Sequence, residues 1–365
     1  MRVLYFINGF DPGGAEHGLL TLVESGFFSG HRLHVIGMCR GRGNLADALR
    51  IAIGRENVQV VDEREDLSLR ACALSTLILA REIRKFRPDI VVLSLKQANV
   101  VGRFVLRAFP NIRCVSFEHI SRYRAQRAEN IYARLLTFLS GRVDEVWSDC
   151  RETLEATRPY FKPRERREEV VPLFCLREDV SAKEEYAIRG PVRIAAAGRL
   201  VGRKNFDRII LVLKALNDAG VKSELAIFGD GPERDAIGAL VRRLGLSDLV
   251  SLPGYRARWF DEAREYDLFV NASDTEGFCI VAAEAMGVGL PVIATDVGGI
   301  REYGRDGENM LKLTDESLEA LTAAIRRMAA DESLRRNLGQ QARLDIAARH
   351  THDAILSRGK EVLGE

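Results

Sequence analysis

Short runs of β-branched and aliphatic residues alternate with longer stretches of helical periodicity, and the alternation persists along nearly the whole chain. A strand, an amphipathic helix and a second strand make a βαβ unit, so the repeated pattern predicts parallel sheets carrying helices. In the first half the strand candidates are 3–7, 33–38, 58–61, 90–95, 114–117 and 144–147. Helical spacing falls near 15–29, 69–87, 98–109 and 121–140. The rhythm breaks between Pro172 and Pro191, where charge and the Gly190-Pro191 pair replace periodicity. A second series follows, with strand candidates at 192–197, 225–228, 249–252, 268–271 and 291–294. Helix candidates lie near 205–219, 232–244 and 279–288, and the chain is helical from about 315 onward. We expect an α/β protein of two doubly wound domains, 1–175 and 192–350, joined by a linker at 176–191. Ligands of such domains sit outside the carboxyl ends of the strands, so the expected site is the cleft between the two.

Composition agrees with a globular enzyme, since 365 residues with 46% hydrophobic and 29% charged content can build two full cores. The formal net charge of +2 argues against a general nucleic-acid-coating protein, but it hides an asymmetry. Between Arg81 and Arg142 there are thirteen basic and four acidic residues, a local surplus of nine that the rest of the chain offsets. Such polarity is an argument about partners. It lacks the interleaved aromatic platform of a single-strand nucleic-acid binder, so we expect no nucleic acid.

The six cysteines are scattered with no C-x-x-C pair, which reads as small core residues in a reducing compartment. His31 with His34, and His350 with His352, have no carboxylate or cysteine set around them, so no metal site is expected. The opening apolar run is too short for a signal peptide, and no uncharged apolar stretch approaches the roughly 18 residues of a membrane span. A cytoplasmic location is therefore expected. Asn271-Ala272-Ser273 fits a glycosylation sequon, read here as coincidence.

Four segments carry candidate chemistry. Gly9-Phe10-Asp11-Pro12-Gly13-Gly14-Ala15-Glu16 joins the first strand to a helix, where backbone N–H groups and the helix dipole favour an anion. It does not spell G-x-G-x-x-G, so a dinucleotide reading fails. Gly198-Arg199-Leu200-Val201-Gly202-Arg203-Lys204 repeats the arrangement in the second half, with Arg199 and Lys204 placed to meet a diphosphate. Phe228-Gly229-Asp230-Gly231-Pro232-Glu233 is a third strand-to-helix turn. The fourth runs from Glu276-Gly277-Phe278-Cys279 through Glu284 to Gly298-Gly299. It sets two carboxylates at different depths of one pocket, and a glutamate amid the apolar run 280–286 needs partners if buried.

In this order and spacing, GGAE, GRL with its following lysine, GDGPE and EGFCIVAAEAMGVGLPVIATDVGG resemble the retaining glycosyltransferases of family 4, which have the GT-B fold. The resemblance touches both halves and is most specific over 192–311. It implies transfer of a hexose or N-acetylhexosamine from a nucleoside-diphosphate sugar, with UDP favoured, to a glycan or polyprenyl-pyrophosphate-linked acceptor. Glu284 would accept from the ribose hydroxyls, and Arg199 with Lys204 would neutralise the diphosphate. Glu276 and the backbone of Gly277, Phe278 and Cys279 would hold the sugar and distal phosphate, with Gly13, Gly14 and Gly229 lining the donor site. The family usually has glycine where Cys279 stands. Tyr255 and Arg256 fall in the loop that meets the base, and His119 matches a histidine beside the reacting sugar. Glu118 resembles the residue before that histidine in enzymes that extend lipid-linked oligosaccharides. With Arg122, Arg124 and Arg127 it is expected to face the acceptor or an anionic membrane surface, which would place the protein on the inner face of a membrane. The resemblance implies no metal, since cationic side chains and helix dipoles do that work, and a helical tail from about 351 packed on the first domain. The alternatives are a soluble small-molecule acceptor and a nucleotide-sugar epimerase on the same fold.

Overall fold

The computed structural model describes residues 1–119, 127–162 and 165–364, with backbone alone for 127–132. Two compact units account for the chain, Met1–Cys175 with His352–Glu365, and Leu176–Thr351.

The first unit holds seven parallel strands, β1 (Arg2–Ile7), β2 (Arg32–Cys39), β3 (Val58–Asp62), β4 (Ile90–Ser94), β5 (Arg113–Glu118), β6 (Glu145–Ser148) and β7 (Arg167–Val170). Their order is β3-β2-β1-β4-β5-β6-β7. The intervening helices are α1 (Gly14–Glu24), α2 (Leu45–Ile53), α3 (Leu69–Phe86), α4 (Lys96–Val105), α5 (Arg127–Leu139) and α6 (Arg151–Thr157). Strand order reverses direction between β1 and β4, so α1 and α2 pack together while α3, α4 and α5 pack side by side. Helix α3 shows why the sequence pattern works. Ser68 caps it by accepting from the Ala71 N–H, Ala71, Ser75, Leu79 and Ile83 bury one face, and Arg87 ends it at φ 50° before Pro88. That face meets Leu4, Phe6, Ile36, Val91 and Leu93 in the core.

The second unit holds six parallel strands, β8 (Val192–Ala197), β9 (Ser223–Phe228), β10 (Val250–Gly254), β11 (Leu268–Asn271), β12 (Val292–Thr295) and β13 (Leu311–Leu313). Their order is β10-β9-β8-β11-β12-β13. Its helices are α7 (Phe206–Asp218), α8 (Arg234–Arg243), α9 (Trp259–Ala263), α10 (Ile280–Gly287), α11 (Ile300–Tyr303), α12 (Leu318–Ala330) and α13 (Glu332–Arg349). Ile194, Ile210, Leu213, Ile227, Val270 and Ile325 belong to its core. Residues 176–191 lack regular structure but are held to this unit, where the buried Tyr186 donates its hydroxyl to the Gly289 carbonyl and accepts from Arg335 on its own carbonyl. The last helix, α14 (His352–Leu363), belongs to the first unit, where Arg358 reaches Glu169 and the Val170 carbonyl.

Among the described residues no helix is long and apolar enough to cross a membrane.

Candidate functional site

In the second unit the strand order reverses between β8 and β11, and the sequence motifs cluster at the carboxyl ends of these strands and their neighbours. This is where a doubly wound sheet leaves a crevice. Three loops are zipped together there by backbone. Gly198 donates to the Phe228 carbonyl, Leu200 to Asp230, and Gly229 to Gly254, each at 2.9 Å. Gly229 stands at φ 141°, and a Cβ there would run into the Gly198 carbonyl, so glycine is required by both conformation and space. A second backbone contact joins the Glu276 loop to the glycine pair after β12, with Gly299 N–H donating to the Gly277 carbonyl at 2.7 Å.

At the centre lies a buried ion pair. Lys204 Nζ is 2.6 Å from Glu276 Oε1, with side-chain exposures of 10% and 5%. The same oxygen accepts from Ser273 Oγ at 2.6 Å and from Asn271 Nδ2 at 3.2 Å. Burial would raise the Glu276 pKa, but the charges of Lys204 and Arg203 and the Lys204 and Ser273 hydrogen bonds outweigh it and hold the group at about 2. Glu276 is therefore an anion throughout the physiological range. Arg199 is exposed on the loop after β8 and forms no ion pair among the described residues. One cation of the pair is thus locked into the fold while the other faces solvent.

Five residues beyond Cys279, Glu284 sits on α10 with Oε2 accepting from the Trp259 indole N–H at 2.7 Å. Desolvation pushes its pKa up to about 7, against the pull of that hydrogen bond. Trp259 is itself buried beside Phe228 and Phe269, with ring centroids 5.7 and 5.3 Å away. Tyr255 follows β10, and burial together with the nearby Glu284 raises its pKa. Arg256, exposed beside it, lies 3.8 Å from Glu262. Cys279 caps α10 at φ 63°, the left-handed region that a side chain disfavours and glycine adopts without strain. Its thiol is buried, with its pKa pushed well up. Phe278 packs edge-on against His350 and tilted on Tyr303.

The first unit gathers its own residues at the carboxyl ends of β1, β4, β5 and β6. Gly13 caps α1, and a Cβ at Gly13 would collide with the Glu16 carboxylate, so an acidic group already lies at this helix start. His119 follows β5, with Nε2 2.9 Å from Ser94 Oγ and Nδ1 3.7 Å from Asp149 Oδ2, which is too long for a hydrogen bond. The preceding Glu118 turns the other way. Its carboxylate takes 2.6 Å and 3.2 Å contacts from Ser116 Oγ and from Arg103, a fully buried guanidinium that also bonds Asn99 and the Leu136 carbonyl. Alternation along β5 is the reason: Ser116 and Glu118 share one face, Phe117 and His119 the other. The geometry thus places Glu118 in a buried ion pair with Arg103 inside the unit. Arg122 and Arg124 lie outside the described residues. Arg127 opens α5, its side chain likewise outside them.

The structure brings Arg199, Lys204, Gly229, Tyr255, Arg256, Gly277, Phe278, Cys279, Glu276 and Glu284 to one end of the second sheet, and Gly13, Gly14 and His119 to the corresponding end of the first. It adds residues the sequence reading did not select. Asn271 and Ser273, the two ends of the apparent sequon, are buried supports of Glu276. Trp259 orients Glu284, and Asp149 and Ser94 flank His119. Among the described residues no group of three or more metal-ligating side chains occurs.

Comparison with known proteins places these two sheets. Residues 12–174 match the family model Glycosyltransferase Family 4, and residues 181–345 match Glycosyl transferases group 1. The lipopolysaccharide core biosynthesis glycosyltransferase LpsE of Rhizobium meliloti is 33% identical over 178 residues, 48% of this chain and 50% of that protein. An exopolysaccharide phosphotransferase of Streptomyces coelicolor is 36% identical over 171 residues, 46% of this chain and 18% of the relative. The matched region thus spans half or less of these curated relatives. Anabaena HepE, solved in complex with UDP-glucose, superposes with a TM-score of 0.78 at 19% identity, covering 100% of this chain and 99% of that one. Two family models cover most of the chain in succession, and the fold is that of GT-B structures: the protein belongs to the glycosyltransferases, with a Glycosyltransferase Family 4 half followed by a Glycosyl transferases group 1 half.

Proposed function

We propose that the protein transfers a hexose-type sugar, with retention of anomeric configuration and without a metal, from a UDP-sugar to a hydroxyl of a glycan or lipid-linked glycan. The observation that carries the reading is the buried Lys204–Glu276 pair beside the exposed Arg199 at the β8/β11 switch point. A departing diphosphate gathers negative charge at its leaving oxygen, and cations already fixed there favour the transition state over the ground state. Lys204 has three N–H donors, so it can hold Glu276 and a phosphate oxygen together. The UDP-glucose complex of HepE supports the donor class, and the lipopolysaccharide core role in the name of LpsE supports a glycan acceptor.

Retention follows from front-face attack in this reading. The acceptor oxygen bonds to the anomeric carbon on the side the diphosphate leaves, and its proton passes to the departing phosphate oxygen. Glu276 suits electrostatic support of this step better than covalent attack, because three donors already occupy Oε1. Glu284, held by Trp259 through Oε2, presents its other oxygen to ribose hydroxyls.

The test is incubation with a panel of nucleotide sugars, with and without short glycan acceptors, followed by NMR of the new anomeric proton. An α-linked product formed only with acceptor is expected from an α-linked donor. A β-linked product, a trapped glycosyl-Glu276, an epimerised donor, or free sugar released at the same rate without acceptor would each overturn it.

A further inference from the structure

Of the ten large apolar side chains that stand exposed among the described residues, five lie on the adjacent helices α3, α4 and α5 of the first unit. Leu69 is 88% exposed, Leu77 72%, Phe104 58%, Phe138 64% and Leu135 40%. Exposure on this scale is costly for a face meant to stay in water, and a cluster of it marks an interaction surface. The same helices carry the exposed cations Arg70, Arg81, Arg84 and Arg134, and Arg107 is exposed on the turn directly after α4. They carry only two acidic residues, Glu82, which is buried, and Glu129, whose side chain lies outside the described ones. Apolar and cationic groups are interleaved: Leu77 and Arg81, and Arg134 and Phe138, are one helical turn apart, and Lys162 stacks over Phe138 at 5.5 Å.

We infer that the outer face of α3, α4 and α5 docks on an anionic lipid bilayer. The pairing of chemistries decides the occupant. Leu and Phe side chains give up their water to the acyl boundary, while Arg and Lys heads one turn away stay at the phosphate level. A nucleic acid would engage the cations but offers nothing to Leu69, Leu77 and Leu135. A second copy of the chain would set one basic face against another. The surface lies outside the donor site and does not rest on the transfer reaction proposed above.

Cosedimentation of the full chain with vesicles tests this, comparing phosphatidylcholine alone with a mixture containing roughly one-third phosphatidylglycerol. Binding is expected to the anionic vesicles, weakening as salt shortens the screening length. Phe104→Ser with Phe138→Ser, and separately Arg70→Glu with Arg107→Glu, should each lower that binding about tenfold or more. Both pairs are exposed, and UDP-glucose binding, read in parallel, should stay unchanged. Loss of UDP-glucose binding in the unaltered protein would strike the proposed reaction and leave this inference standing. Equal binding to neutral and anionic vesicles, none to either, or anionic binding that survives both double substitutions would overturn it. So would binding to random-sequence DNA that competes with the vesicles and ignores the two phenylalanines.

Discussion

The two cations of the site differ in what they do for the fold, and that difference is measurable. Lys204 is buried against Glu276, so Lys204→Ala leaves a buried carboxylate without its counter-charge, a change that costs about 3–5 kcal/mol of stability. Arg199 is exposed, and Arg199→Ala should move stability by less than about 0.5 kcal/mol. Either substitution should lower kcat by roughly 10²–10³. Thermal melts and turnover measured side by side therefore separate them: activity falls in both, the melting midpoint in Lys204→Ala alone. Glu284 supplies a pH signature. Its proton is held more tightly in the fold than in the unfolded chain, so this stabilisation is full below the ordinary carboxyl value of 4.5 and is lost as pH rises through about 7. In the proposed donor site binding runs the other way, because the charged carboxylate is the stronger acceptor for a ribose hydroxyl. Calorimetric titration with UDP-glucose should show affinity rising from about pH 6 to about pH 8, flattened by Glu284→Gln. Trp259→Phe keeps the ring but removes the N–H that holds this pKa down, and it should shift the same profile to higher pH.

Elements place these residues through backbone contacts between loops, which is where glycine matters. Gly229→Ala would push a Cβ toward the Gly198 carbonyl at φ 141°, parting the loops that carry Arg199 and Tyr255. A loss of about 1–3 kcal/mol is expected, read as a lower urea midpoint at constant slope. The same loops show what was legible in the sequence. GRL, GDGPE and the Glu276–Glu284 segment were readable because each needs a special backbone or an uncompensated polar group inside an apolar run. Asn271 and Ser273 were not, since their pattern also spells a sequon and only burial at the end of β11 shows that they serve Glu276. Trp259 lies 25 residues before Glu284, on a five-residue helix with no periodicity to announce it. Among strands, β7 escaped because its sequence, Arg167-Glu168-Glu169-Val170, is charged as an exposed edge strand should be. β13 is three residues long and carries too little pattern. The Glu118–Arg103 pair was not readable either, because Arg103 comes from α4 and only packing brings the two together.

At the scale of the whole molecule, a near-neutral sum of +2 covers a first unit with a basic apolar face and a second in which Arg199 and Lys204 stand on the loop after β8. Each unit has its own sheet and core, and the chain leaves the first at Cys175 and returns to it at His352. The returning helix α14 buries Ile355, Val362 and Leu363, and Gly359 packs so closely on the Phe27 backbone that a Cβ would not fit. Ending the chain after Thr351 strips these contacts from the first unit alone. Nucleotide, in contrast, should stabilise the second unit, by about 2.7 kcal/mol at a hundredfold its Kd. Scanning calorimetry then distinguishes the two effects. Truncation should lower the transition of the first unit, and UDP should raise that of the second, so that together they drive the transitions apart. A truncated chain whose single transition still moves as one body with UDP would mean that the units melt together, and that the fourteen residues after Thr351 support the nucleotide site as well as the fold that owns them.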